Sequence, residues 1–414
     1  MYTDPRSGCQ NGNPGSRLSA SSCPEKKETA LIEREPAENV QTGARSIHQA
    51  SLHRLVWQFV VFFVILALPA PGQDAASQIN TEIKRLQQLL KDRPISDPGL
   101  PNANSIIGDS LKAAADELSA GRLYSSLEKL SQASDFLQGA RTAIDKAKAA
   151  KSGLPAFESQ CGKASLALTA LDRKARDRNW SNAPVAIRAL SEAAQGKTIP
   201  LLEGGRGFAT ATQPKDGLFY LGEAQGEAEF AKFCASLNLP RKITPLPLRS
   251  LLPELQSLQE KTDAAFRPPR SIELHPRFIA LNSTLKLAQE LDSARFYAGA
   301  LYQYLEAVRH YGMLDAVPPD TASQSRLLNA IAAMHKQLHA SKRDDSIVQL
   351  FLERAESQVA QAGGSTPSTE EWRSAQVIID QLLPAYFAAQ RPASPLQQPS
   401  GKTIDITLVR WPYT

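Results

Sequence analysis

Residues 77–90 read SQINTEIKRLQQLL, and their pattern decides the fold. Ile79, Ile83, Leu86 and Leu90 recur three and four residues apart. That spacing puts all four on one face of a helix, with Lys84, Arg85 and the glutamines turned outward. The same period continues outward from this stretch through most of the chain.

Toward the C-terminus a turn is predicted over Pro94–Asn104, followed by a helical hairpin from Ser105 to about Lys151, broken at Gly121. Further helices are expected over about Phe157–Arg176, after Pro184 and over about Lys215–Asn238, with Pro200 in the first turn of a new helix. These make a first helical half, residues 77–238. Leu239–Ser250 contains Pro240, Pro245 and Pro247 and is the candidate boundary. A second half, 251–390, is expected to hold helices over about Leu251–Ala265, Pro276–Leu291, Asp292–Met313, Ser323–Ala340, Asp345–Gln361 and Thr369–Gln390. Pro318-Pro319-Asp320 stops one helix and caps the next, Gly363-Gly364 ends another, and Ser368 with Glu371 matches a capping box. The tail, 391–414, departs from this pattern. Arg391–Ser400 is a Pro- and Gln-rich linker, and Thr403–Leu408 alternates polar and apolar with the period of a strand. Its expected partner is Ser271–Leu274, and the alternative is addition to a sheet of another protein. The fold class expected is therefore all-α: antiparallel helical hairpins in two repeat-like halves, with one short C-terminal strand.

Around Gly121, the residues Leu118, Gly121, Leu123, Ser126, Leu130 and Ala133 resemble the middle of a tetratricopeptide repeat. The resemblance spans one hairpin. Glu117 stands where that family prefers a large aromatic, and Gln138 where it prefers a proline. It implies antiparallel helix pairs stacked into a protein-binding surface. A second similarity is internal. Phe219-Tyr220, Gly222, Glu229 and Lys232 align with Phe296-Tyr297, Gly299, Glu306 and Arg309, consistent either with duplication of a hairpin or with chance.

Leu55–Leu68, LVWQFVVFFVILAL, sets the expected address. A full membrane span needs roughly 20 apolar residues, whereas the apolar region of a signal peptide takes about 7–15. Ala70-Pro71-Gly72 supplies small residues for cleavage after Gly72. Residues 55–72 are thus a signal peptide or a single transmembrane helix that contacts the membrane through 55–70. Met1–Arg54 is a polar arm that reads as disordered, or is not translated if the true start lies downstream. Either way the body is expected outside the cytoplasm, periplasmic, secreted or tethered, among other envelope proteins.

Composition narrows the chemistry. Lys+Arg 47 against Asp+Glu 42 leaves +5, too thin and too dispersed for a nucleic-acid partner. Cys161 and Cys234 each lie on an apolar helical stripe, so they form either one disulfide or two buried thiols. His335 and His339 are four apart, but Lys336 stands where a zinc protease needs glutamate. Gly204-Gly205-Arg206-Gly207 lacks the phosphate-loop lysine and reads as a kink. No cofactor is expected. Phe296, Tyr297, Tyr302, Tyr304 and Tyr311 form an aromatic-rich stretch with Arg309 and His310 beside it, and Tyr297 and Tyr304 share one helical face. Phe296, Tyr297, Tyr304, Arg309, His310 and Tyr311 are the candidate recognition surface. Two function classes follow: an interaction or scaffold module of the cell envelope, or an enzyme or small-molecule binder with a pocket between the helical halves.

Overall fold

Asp74 begins the first helix by accepting from Ser77 N at 2.7 Å, and Ile79, Ile83 and Leu86 are buried along it as their spacing requires. The computed structural model describes residues 74–146, 158–166, 180, 183–210, 214–239, 244–266, 272–317, 320–362 and 369–390. Its helices are α1 Ala75–Asp92, α2 Ala103–Ser119, α3 Leu123–Asp145, α4 Val185–Thr210, α5 Pro214–Ser236 and α6 Leu252–Ala265. They continue with α7 His275–Ser293, α8 Tyr297–Asp315, α9 Thr321–Ala340, α10 Ser346–Ala362, α11 Thr369–Val377 and α12 Leu383–Ala389. The all-α class holds, and among the described residues there is no strand. The expected strand at Ser271–Leu274 is corrected: Ile272–Leu274 form a single 3-10 turn leading into α7, and Ile272 is 83% exposed. Four residues are too few to impose a two-residue period against a helix that starts at His275-Pro276. Its expected partner, 403–408, lies outside the described residues, as do the expected signal peptide or membrane helix at 55–72, Gly363-Gly364 and Ser368.

Two hairpins turn by the same device. Gly121 adopts φ 79°, Gly121 N donates to Leu118 O at 3.0 Å, and Arg122 N donates to Glu117 O at 2.9 Å. Arg295 adopts φ 65°, Arg295 N donates to Asp292 O at 3.0 Å, and Phe296 N donates to Leu291 O at 2.9 Å. Both are Schellman closures, with a left-handed residue after the helix. Glycine takes that conformation without steric cost, and Arg295 does not. In the first hairpin, around Gly121, small residues let the two helices approach closely. Ser126 and Ala133 are fully buried, and Ser126 Oγ donates to Ala114 O across the pair at 2.7 Å.

The helix starts α3, α4, α6 and α8 are capped from afar. Tyr124 N and Ser125 N, opening α3, donate to Glu353 Oε2 of α10 at 2.7 and 3.1 Å. Gly299 N, opening α8, donates to Glu192 Oε2 of α4 at 2.8 Å. Val185 N donates to Asp344 Oδ2 at 3.0 Å and Ala186 N to Ser346 Oγ at 2.9 Å, holding the start of α4. Leu251 N, before α6, donates to Asp292 Oδ1 at 2.8 Å. Each of these side-chain oxygens accepts from backbone donors that would otherwise be buried unpaired. Glu192 and Glu353 are each the eighth residue of a buried helix, counted from Val185 and Ser346. Each also accepts from the residue one turn earlier: Arg188 Nε at 2.6 Å and Gln349 Nε2 at 3.0 Å.

α3 packs on α5, α5 on α4, α4 on α8 and α8 on α7, with α10 against α3 and α11. One hydrophobic cluster runs from Ile79 and Leu127 to Leu305, Phe351 and Tyr386. It spans both sides of the Pro-rich boundary, and Leu246 of that segment and Leu251 just after it belong to it. Thr244 pairs there with Arg343 as an isolated bridge. Where α5 crosses α3, a Cβ on Gly222 would lie 2.3 Å from Gln138 O, and one on Gly226 would lie 2.8 Å from the Asp135 Cα. Gly299 is likewise pressed on Glu192, so the two glycines matched in sequence share one task.

Two expectations about α4 are corrected. Pro200 lies inside the continuous helix Val185–Thr210 rather than at a helix start, and the glycine group 204–207 continues the same helix. Gly205 serves close packing: a Cβ there would stand 2.9 Å from Gly217 O of α5. The disulfide is also corrected in favour of two buried thiols, because Cys161 and Cys234 are not bonded. Cys161 packs with Leu218 and Leu221, whereas Cys234 lies in the main core more than three turns further along α5. At ~1.5 Å rise per residue the two sulfurs are held far beyond bonding distance.

Candidate functional site

The six candidate residues do not form one surface. Tyr304 and Tyr311, two turns apart on α8, line a groove shared with Val308 of α8 and Ser257, Leu258 and Lys261 of α6. Gln381 and Ala385 close its other side, and its volume is about 440 Å³. Arg309 and His310 turn toward a buried charge cluster. Phe296 lies at a separate cleft, and Tyr297 is the first residue of α8.

The groove has a local cause. Pro384 cannot donate a backbone hydrogen bond and crowds the carbonyl four residues before it. The chain absorbs this by widening into a π-helical turn, Ile378–Leu382, closed by Leu383 N donating to Ile378 O. π-Turns are rare and recur at functional sites. Here the extra residue brings Gln381 over α8, where a Cβ on Gly312 would lie 2.5 Å from its Oε1. Pro253 and Glu254 of α6 complete its lining. At the rim, Arg249 Nη2 donates to Glu254 Oε1 at 2.5 Å and also to Ala389 O at 2.8 Å, so Glu254 is neutralised while Lys261 adds positive charge. Burial holds the Tyr304 hydroxyl up to about 12, so it stays a neutral donor and acceptor at ordinary pH.

The charge cluster lies where α3, α8 and α10 meet. Arg354 bonds both Glu128 and Glu306. Tyr302 Oη donates to Glu128 Oε1 at 2.7 Å, and Arg309 Nε donates to Glu306 Oε2 at 3.0 Å. The guanidinium of Arg354 stands 5.1 Å over the Phe351 ring, itself stacked on Tyr302 at 5.8 Å. Burial opposes ionisation of Glu306, but the two arginines prevail and bring its carboxyl down to about 2. His310 is pushed down to about 4 by burial and then by Arg309. Two carboxylates and two guanidiniums balance, so the cluster ties three helices together. Tyr302 belongs here by contact, although the sequence stripe singled out Tyr297 and Tyr304.

A second buried group lies between α3, α4 and α5. Lys197 Nζ donates to Glu227 Oε1 at 2.6 Å, and Asp135, half-buried, faces the same glutamate. Burial and then Glu227 hold the Asp135 carboxyl well above its usual range. The histidine pair is structural: His335 Nε2 lies 2.6 Å from Glu356 Oε1, and His339 Nδ1 lies 2.9 Å from His335 O. Among the described residues no cluster of His, Cys, Asp or Glu could hold a metal ion, and no helix is long and apolar enough to cross a membrane.

No protein-family model, curated protein or solved structure matches this chain.

Proposed function

We propose that the helical body is a protein-interaction module of the cell envelope, exported or held at the membrane by residues 55–70, and that its α6–α8–α12 groove takes an amphipathic helix of another envelope protein. The observation that carries this reading is the groove itself. It has an apolar floor of Leu258 and Val308 and two tyrosines with both apolar and polar ends. Tyrosines at such a boundary suit a partner that is apolar on one face and wet on the other. Lys261 beside a neutralised Glu254 favours an acidic residue at the partner's edge. An apolar stripe at helical spacing would then enter between α6 and α12.

The test uses exposed positions so that folding is preserved. Ser257→Arg and Lys261→Glu in the full-length chain should release a partner that co-purifies with wild type, the first by blocking the groove and the second by reversing charge. A partner retained equally by both variants counts against the groove. Address is tested separately by N-terminal sequencing of fractionated cells. A chain beginning near Gln73 in a soluble exported fraction, or an intact chain in the membrane fraction, supports it, and an intact chain in the cytosol opposes it.

A further inference from the structure

Pro200 sits where a regular helix would pair its backbone N–H with the carbonyl of Gly196. It has no such hydrogen, and that carbonyl loses its usual intrahelical donor. Gly196 and Pro200 both line a cleft of about 420 Å³ between α4 and the α7–α8 turn, whose far wall includes Glu290, Leu291 and Phe296.

Gln195 lines the same cleft and is only 8% exposed. Its orientation is fixed by its neighbour. Ser191 Oγ gives its single hydrogen to Ala231 O at 3.0 Å, so toward Gln195 it can only accept. Gln195 therefore presents Nε2 to Ser191, at 3.3 Å, and its Oε1 is buried without a donor. Leaving a buried carbonyl unpaired is costly, and a ligand N–H would recover that cost. The cleft also carries net negative charge: Glu203 and Glu290 against Lys286, whose Nζ is 3.7 Å from Glu290 Oε1. Phe296, Pro200 and Leu291 supply apolar surface, and an aromatic face attracts a cation.

We propose that this cleft binds a small organic ammonium compound, with its N–H groups on Gln195 Oε1 and the Gly196 carbonyl, its charge facing Glu203, and its apolar body against Pro200 and Phe296. The volume suits a molecule of that kind. The site is separate from the α6–α8–α12 groove and does not depend on it.

Isothermal titration of the full-length chain with 2-phenylethylammonium tests this, with phenylacetate and 2-phenylethanol as anionic and neutral counterparts. The ammonium should bind saturably and at least about tenfold more tightly than either counterpart, the effect of one charge-assisted hydrogen bond. Gln195→Leu should weaken it by about tenfold or more through loss of the acceptor. Ile199 is 64% exposed at the cleft, so Ile199→Lys should weaken binding by repulsion while leaving the fold intact. Absence of saturable heat, equal binding of the carboxylate or the alcohol, or unchanged affinity in Ile199→Lys would overturn the proposal.

Discussion

Glu353 concentrates the energetics of the molecule in one side chain. It caps α3 and is nearly enclosed, and burial outweighs its hydrogen bonds and holds its carboxyl up to about 8 against an ordinary 4.5. In that interval the folded chain binds a proton that the unfolded chain has released. Its contribution to stability is therefore complete below about 4.5 and is lost as pH rises through about 8. Asp135 acts in the same direction. His310, depressed to about 4 from 6.5, acts oppositely: its contribution is present above 6.5 and is lost as pH falls through about 4. The window between pH 6.5 and 8 therefore isolates the carboxyls. Melting temperature should fall across it, and Glu353→Gln, which keeps an acceptor for Tyr124 and Ser125, should reduce the slope. An unchanged slope would mean that Glu353 is ionised throughout. Arg354→Met should cost about 3–5 kcal/mol in denaturant unfolding, because Glu128 and Glu306 would lose their shared cation in the interior. A cost below 1 kcal/mol would show that water reaches the cluster.

At the scale of elements, the sequence was read well wherever the helical period decides. The start predicted at Ser77 and the stop at Ala340 fall within a few residues of Ala75–Asp92 and Thr321–Ala340, and Asp320 caps α9 as its neighbours imply. Caps supplied across the fold were not legible. Arg122 and Phe296 stand at cap positions with no suitable side chain, and their caps come from Glu353 and Glu192 on other helices. No local pattern encodes such a partner. The same holds for Pro200, which lies inside α4 although proline favours a helix start. Close approach of helices gives a paired prediction. Gly222→Ala should destabilise by about 1–3 kcal/mol, since its Cβ would meet the backbone of α3. Gly108→Ala meets nothing within 4 Å and should stabilise by about 0.5–1 kcal/mol through helix propensity. Thermal melts of the two variants moving in the same direction would refute this account of the α3–α5 contact.

For the whole molecule, the charged residues buried between helices and the single cluster across the Pro-rich segment explain why a spread-out sequence pattern yields one packed body. Tyr304 and Tyr311 of the groove are among the candidates named from the sequence, but the spacing pairs Tyr304 with Tyr297, which does not line the groove. The rest of the groove depends on the π-turn before Pro384 and on α6 lying alongside, which appear only once the elements are assembled. The most direct measurement is photo-crosslinking in cells from a benzophenone amino acid placed at Ser257 and at Gln381, with Gln88 of α1 as the exposed control. A groove that holds a partner helix predicts the same crosslinked protein from both groove positions, joined through a segment with an apolar stripe at helical spacing, and none from Gln88. No product at Ser257 and Gln381, or equal product at Gln88, would contradict it.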